Sequence, residues 1–435
     1  MALKVVGQRV KRYDGLAHVA AETKFVDDVI IPGMLWTKAF RSPVAKGRIR
    51  SLDTAAAEAV PGVVAVATYK DVPENTYGWG GDQQVLAKNE VRYKGEPIAA
   101  VAAVDEDTAA EAASLVKVEI DEEEPVFDVF EAMKPDAPKV RPEGNMLMFG
   151  ERPFRQIVFG DIEAGFAEAD EIIEGDYYHP WLEHAQLEPQ TSLAVPEASG
   201  RLTVYTVSQA LFLHQEALCA VLKMPLNKVR YIGGTVGGGF GAKNDIHADH
   251  VASVLALKTG RPVKWRWTRE EEMLYSTARG AWHIHIKDGV KNDGQLIARQ
   301  VKTIHDGGAY GSLNAYVVDK HCYLAAGPYF IPNVYVQGYA VLTNKPPASS
   351  MRGFGITPAT FATEVQLNRV ATAIGMDPWE IRFINAFREG DQTATRRVLD
   401  SVALVEVMQA LAEKAGVELS DSMKAMSSAD RGRLT

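Results

Sequence analysis

The segment Gly233-Gly234-Thr235-Val236-Gly237-Gly238-Gly239-Phe240-Gly241-Ala242-Lys243 holds the densest chemical signal in the sequence. Glycines gather where a backbone must approach a partner closely or take positive φ. The segment follows an expected strand over 228–232 and leads towards an expected helix over 245–257. Strand, glycine loop and helix start leave backbone N–H groups pointing outward, which suits an anion. The loop alone admits three readings. Gly237, Gly239 and Ala242 match the dinucleotide fingerprint G-x-G-x-x-G/A, with Glu270 as the acidic residue further on. A different cofactor and a plain tight turn fit as well. A Walker A loop does not, because Ala242 precedes Lys243 and Asn244 follows it.

Two further segments carry groups suited to binding. In Ser350-Met351-Arg352-Gly353-Phe354-Gly355, Arg352 offers a planar fork for a phosphate or similar oxyanion, and Phe354 offers a ring face to a flat ligand. The plain alternative is a surface arginine in a turn. Gln209 closes the β-like run 204–209 and can both donate and accept a hydrogen bond there. His247 and His250, beside Asp245 and Asp249, have a spacing that a metal could use, but nothing completes the ligand set. They are read as a solvated helix face. Glu183, His184 and Glu188 form an acid–base group without a partner nucleophile.

The elements that position these residues follow from hydrophobic pattern. Strands are expected over 33–40, 63–68, 98–104 and 116–120, with helices over 54–59 and 107–115, the latter capped by the aspartate at its start. Residues 134–149 hold a proline-rich linker, and strands dominate from 150 onward. Helices are expected near 210–222, 246–258, 358–373 and 404–415, with a loose tail over 419–435. The balance of 47 Lys and Arg against 56 Asp and Glu gives a net charge of −9 and no basic stripe, which argues against nucleic acid. Apolar runs such as Ile98 to Val104 are too short to span a bilayer. No signal peptide is visible, so a cytoplasmic location is expected. The two cysteines, Cys219 and Cys322, cannot hold an iron–sulfur cluster and are read as small buried apolar residues.

Taken together, GVVAV, YKGEPIAAVAA, GDIEAGFAEADEIIEGDYYHPWLEHAQLEPQTSLAVP, VSQ, VGGGFGAK, DGGAYG, GPYFIPNV and MRGFG resemble, in order and over nearly the whole chain, the molybdopterin-binding subunit of the xanthine dehydrogenase family, the molybdenum hydroxylases. The resemblance implies an α+β fold: an α/β hammerhead domain over 1–133, a linker over 134–149, and the first half of a molybdopterin-binding domain over 150–418. Carried onto matching positions, it implies that Gln209 bonds an oxo ligand of molybdenum. Phe240 and Gly241 would lie against the metal site, Gly238 and Gly239 would permit close approach, and Arg352 would contact the pterin. Phe354 would stack on a planar substrate. The metal itself would be held by the pterin dithiolene, with no protein ligand.

Three departures from the family pattern shape the expected function. Asn244 stands where xanthine-oxidising members carry a glutamate, and Lys320 where many carry an arginine. Both positions face substrate in the family, and a lysine point charge suits a carboxylate. The family's general base, a glutamate in a glycine-containing motif of the second half, has no counterpart among Glu364, Glu380, Glu389, Glu406, Glu413 and Glu418. The chain therefore resembles the larger piece of a split enzyme of the nicotinate dehydrogenase type. The implied activity is hydroxylation of an electron-poor carbon of a nicotinate-like N-heteroaromatic, with water as oxygen source. Purine or aldehyde oxidation by the same chemistry is the alternative, and a dinucleotide-binding reductase using Gly237–Ala242 is the alternative of another class. The implied cofactor is molybdopterin in its cytosine dinucleotide form. The implied partners are a second molybdopterin-binding subunit with the base, a 2Fe-2S subunit and an FAD subunit.

Overall fold

The computed structural model describes residues 4–430, so residues 431–435 of the expected tail lie outside the described residues. A seven-stranded mixed sheet runs in the order Val229–Gly233, Leu202–Thr206, Thr191–Pro196, Val263–Arg266, Leu35–Arg41, Pro97–Ala103 and Val63–Thr68. Its two sequence-distant parts join through a parallel pairing of Leu35 with Val263. The strand Pro97–Ala103 explains the unbroken apolar run. Ala100 and Ala102 feed one core cluster while Ala99 and Val101 feed another, so both faces are buried. The helix Glu106–Ser114 starts a residue earlier than expected, and its cap is Asp105, which accepts from the Thr108 N–H at 2.7 Å. Asp107 lies inside the first turn instead.

A five-stranded sheet forms the second layer, in the order Glu171–His179, Trp282–Val290, Leu296–Asp306, Asn333–Val341 and Arg155–Phe159. The helices Asn314–Leu324 and Ile356–Ala373 pack on it and close the largest apolar core. At its centre, fully buried Arg299 and Asp288 pair through two bonds of 2.7 and 2.8 Å, and the guanidinium also reaches the Ala326 carbonyl. The proline-rich stretch is pinned to this layer. Buried Asn145 bonds the main chain of Val140, Ala132 and Pro138, and the Leu147 N–H reaches the Ala340 carbonyl at 2.9 Å. Near the C-terminal end of the described residues, buried Ser428 accepts from the Val405 N–H at 3.0 Å. Cys219 and Cys322 are both buried free thiols. Among the described residues no helix is long and apolar enough to cross a membrane.

Two expectations are corrected here. The helix expected from 246 runs Asp249–Thr259, because buried Asp245 turns its carboxylate to the hydroxyls of Ser312, at 2.7 Å, and Ser349. That helix is not a solvated face. It lies across the strands Thr191–Pro196, Val263–Arg266 and Val63–Thr68, and Asp249 through Ala256 are all buried. His250 is buried and His247 half-buried; burial pushes their imidazoles down to about 4 and about 3, so both are neutral. No group of His, Cys, Asp and Glu among the described residues could hold a metal ion.

Glu96 couples the N-terminal region to the second layer. Buried, it accepts from the Tyr310 hydroxyl and, at 2.7 Å, from the Arg92 N–H. Burial raises its pKa from 4.5 to about 7, against the pull of those bonds. A carboxyl shifted up adds no penalty below pH 4.5, where both folded and unfolded chains are protonated. As pH climbs from 4.5 to 7 the unfolded chain ionises first, so stability falls, and above 7 the loss is constant. Wild type should therefore lose roughly 3 kcal/mol more than Glu96→Gln between pH 4.5 and 7. Urea unfolding across that range checks it, and parallel pH curves for the two proteins would refute it.

Candidate active site

Two glycine loops meet at the site. In each, a phenylalanine takes the left-handed conformation next to a glycine that does the same: Phe240 (φ +54°) with Gly241, and Phe354 (φ +52°) with Gly353. A non-glycine residue there is strained, and such strain persists only where surroundings enforce it. The enforcement is visible. The Arg352 N–H donates to the Phe240 carbonyl at 2.7 Å, tying loop to loop. A side chain on Gly241 would sit 2.4 Å from the Ser350 carbonyl oxygen, and one on Gly239 would sit 2.3 Å from Gln209 Oε1.

Gln209 is held from two sides. The strand before it ends at Thr206, and the Gln209 N–H donates to the Lys243 carbonyl at 2.8 Å. Its Oε1 accepts from the Gly241 N–H at 2.9 Å. The carboxamide is thereby oriented, and its NH2 has no protein partner among the described residues. The Gly241 N–H is thus engaged by Gln209. The N–H groups of Gly238, Gly239 and Phe240 donate to no protein atom among the described residues. The exposed Arg352 guanidinium has no acidic or hydrogen-bonding partner there either. The site is thus a cradle of free donors with close-approach glycines, which fits an anionic, oxo- and phosphate-bearing cofactor.

The acidic and polar run 183–190 proves to be the scaffold of this cradle rather than an acid–base group. Glu188 Oε2 accepts from the Gly237 N–H and from Lys243 Nζ, both at 2.7 Å. The Lys243 ammonium is fully buried; burial lowers its pKa and the Glu188 partner opposes that shift. His184 Nε2 lies 2.7 Å from the Ser350 carbonyl. Glu183 accepts from the Ser276 hydroxyl at 3.2 Å. Gln190, which sequence reasoning passed over, donates to the Ala242 carbonyl at 2.9 Å and is itself anchored on buried Glu272. Its one signal was a glutamine after proline, just before a buried strand.

Asn244 donates from Nδ2 to the Ser350 hydroxyl at 2.9 Å and lines a cavity of about 190 Å³ with Trp79, Leu213 and His214. Lys320 stands apart from it, exposed on the helix Asn314–Leu324, 5.8 Å from the Tyr316 ring. The same Tyr316 ring meets Phe354 edge-on, centroids 5.7 Å apart. Lys320 and Phe354 therefore share a neighbour, and no carboxylate among the described residues pairs with Lys320. The structure speaks against the dinucleotide reading of Gly237–Ala242. That fingerprint needs a helix leaving the glycine turn directly, whereas here the next helix starts at Asp249.

Removing one partner of the buried Glu188–Lys243 pair leaves an uncompensated charge. Glu188→Gln should cost about 3 kcal/mol in urea unfolding, and adding Lys243→Met should recover much of it. Full additivity of the two changes would show that the pair is not coupled.

The model of the molybdopterin cofactor-binding domain family matches residues 146–386, and that of the aldehyde oxidase and xanthine dehydrogenase a/b hammerhead domain matches residues 20–124. The chain is 35% identical to the nicotinate dehydrogenase large molybdopterin subunit of Eubacterium barkeri, covering 95% of this chain and 96% of that protein. It is 34% identical to the xanthine dehydrogenase molybdenum-binding subunit of Escherichia coli, covering 92% of this chain and 54% of the relative. Aldehyde oxidoreductase from Desulfovibrio gigas superposes with a TM-score of 0.89 at 28% identity, over 96% of this chain and 47% of that one. The chain thus spans about half the length of the latter two and nearly all of the first. With a hammerhead region leading into a molybdopterin-binding domain, the chain belongs to the xanthine dehydrogenase family of molybdenum hydroxylases.

Proposed function

We propose that this chain is the larger molybdopterin-binding subunit of a split hydroxylase that acts on an N-heteroaromatic acid of the nicotinate type. The observation that carries this reading is an unpaired, exposed Lys320 beside the Tyr316–Phe354 aromatic pair, in a chain with the Gln209–Gly241–Arg352 cradle. A relative named as a nicotinate dehydrogenase large molybdopterin subunit, matched over 96% of its length, supports it. When bound, the molybdenum cofactor, in its cytosine dinucleotide form, supplies two-electron oxidation with oxygen taken from water.

The chain's own residues do the rest. Gln209 offers its free carboxamide N–H to an oxo group, with its orientation set by Gly241. The N–H groups of Gly238, Gly239 and Phe240, and the Arg352 guanidinium, hold the anionic cofactor. Phe354 presents its ring to a flat substrate, and Lys320 attracts its carboxylate as a point charge. Asn244 replaces a charged side chain with a neutral amide, which disfavours purines. A glutamate of a second molybdopterin-binding chain takes the proton. A 2Fe-2S subunit and an FAD subunit carry the electrons away, since both cysteines here are buried and too few for a cluster.

The test is an assay of the assembled complex with nicotinate, purines and aliphatic aldehydes. Nicotinate should be preferred. Lys320→Met should raise its KM by roughly tenfold, the worth of one hydrogen bond to a charged group. Gln209→Ala should lower turnover by roughly two orders of magnitude, as loss of an oriented donor does. Preference for an aldehyde over every ring would reject this substrate class.

A further inference from the structure

His214, on the helix Leu211–Leu222, is buried directly behind Asn244. Its Nδ1 lies 3.2 Å from Asp249 Oδ2, and its Nε2 lies 3.1 Å from the Asn244 carbonyl oxygen. Each ring nitrogen faces a pure acceptor, and a neutral imidazole has only one N–H to give. Only the imidazolium satisfies both. Asp249 is equipped to be its counter-charge, since it also accepts from the Thr206 hydroxyl at 2.6 Å and the Tyr231 hydroxyl at 3.3 Å.

The surroundings agree. Burial alone would push His214 down, but the Asp249 carboxylate outweighs it and holds the proton above the ordinary histidine range. Asp249 itself stays ionised, because His214 and Thr206 overcome its burial. Asp245 adds attraction from the glycine-loop side. His247 and His250 are neutral, Tyr231 and Tyr77 keep their protons, and Glu216 on the same helix borders the shared cavity.

What the imidazolium grips is the main chain of the residue at the substrate-facing position. Asn244 is otherwise held by its own N–H to the Gly241 carbonyl, at 3.1 Å, and by its side chain to Ser350. We infer that the buried His214–Asp249 ion pair positions Asn244, making His214 a positioning residue for substrate selection. The inference rests on the reading of Asn244 as substrate-facing. Loss of the His214 proton leaves one N–H for two acceptors, Asp249 and the Asn244 carbonyl, and so loosens one of the three holds on Asn244; substrate affinity should weaken on the alkaline side while the acid side is unaffected.

Two measurements on the assembled complex test it. In protein carrying ¹⁵N-histidine, one histidine should keep both ring nitrogens protonated at a pH where free histidine has already lost one of those protons, and that signal should vanish in His214→Gln; its absence from wild type would overturn the inference. In steady-state kinetics with nicotinate, His214→Gln should raise KM several-fold more than it lowers kcat and flatten the alkaline rise of KM. Asp249→Asn should do the same if His214→Gln fails to fold. The effect of His214→Gln should shrink in an Asn244→Ala background. If Asn244→Ala changes KM but His214→Gln does not, the inference alone falls. If Asn244→Ala leaves KM for every ring unaltered, the substrate-facing reading falls with it.

Discussion

The site depends on a backbone approach too close for any side chain. Gly241 lies against the Ser350 carbonyl and Gly239 against the Gln209 carboxamide, at separations where even a methyl group would collide. That proximity brings the Phe240 and Arg352 loops within hydrogen-bonding reach and forces two phenylalanines into left-handed conformations. Strain of this kind costs roughly 1–3 kcal/mol per residue. It is offset by a dense polar scaffold, in which the run 183–190 bonds the loop's amides, carbonyls and lysine.

The scaffold relies on buried charge pairs. Glu188–Lys243, His214–Asp249 and Arg299–Asp288 are all largely or wholly shielded from water. Desolvation makes such pairs poor sources of net stability, but their geometry is demanding, so a misplaced loop leaves charges unpaired. Two of the three pairs touch the glycine loop or the residue just after it. The third joins the strands Trp282–Val290 and Leu296–Asp306 within the sheet on which the helices Asn314–Leu324 and Ile356–Ala373 pack.

Much of this was legible in the sequence. Alternation and apolar runs located the strands Val63–Thr68 and Pro97–Ala103, and periodicity located the helix Leu404–Ala415. The glycine and arginine motifs marked the two loops that meet. What escaped were effects of tertiary surroundings. Asp245 unwinds the start of a helix because two serines far along the chain reach its carboxylate. His247 and His250 look like a solvated face until a sheet covers them. Glu183, His184 and Glu188 look like reactive groups until their partners prove to be main-chain atoms and a buried lysine. In each case the deciding neighbour lies tens to hundreds of positions away, where local pattern has no reach.

The mixed sheet has a consequence for biogenesis. Leu35–Arg41 is flanked on one side by Pro97–Ala103 and on the other by Val263–Arg266. On a ribosome, that second neighbour emerges only after more than two hundred further residues have been translated. Until then the nascent chain displays an open ladder beside a strand buried on both faces, the kind of edge that recruits foreign strands. The sheet that carries the strand leading to Gln209 therefore closes only after residues 263–266 have been made, late in the order in which the chain appears.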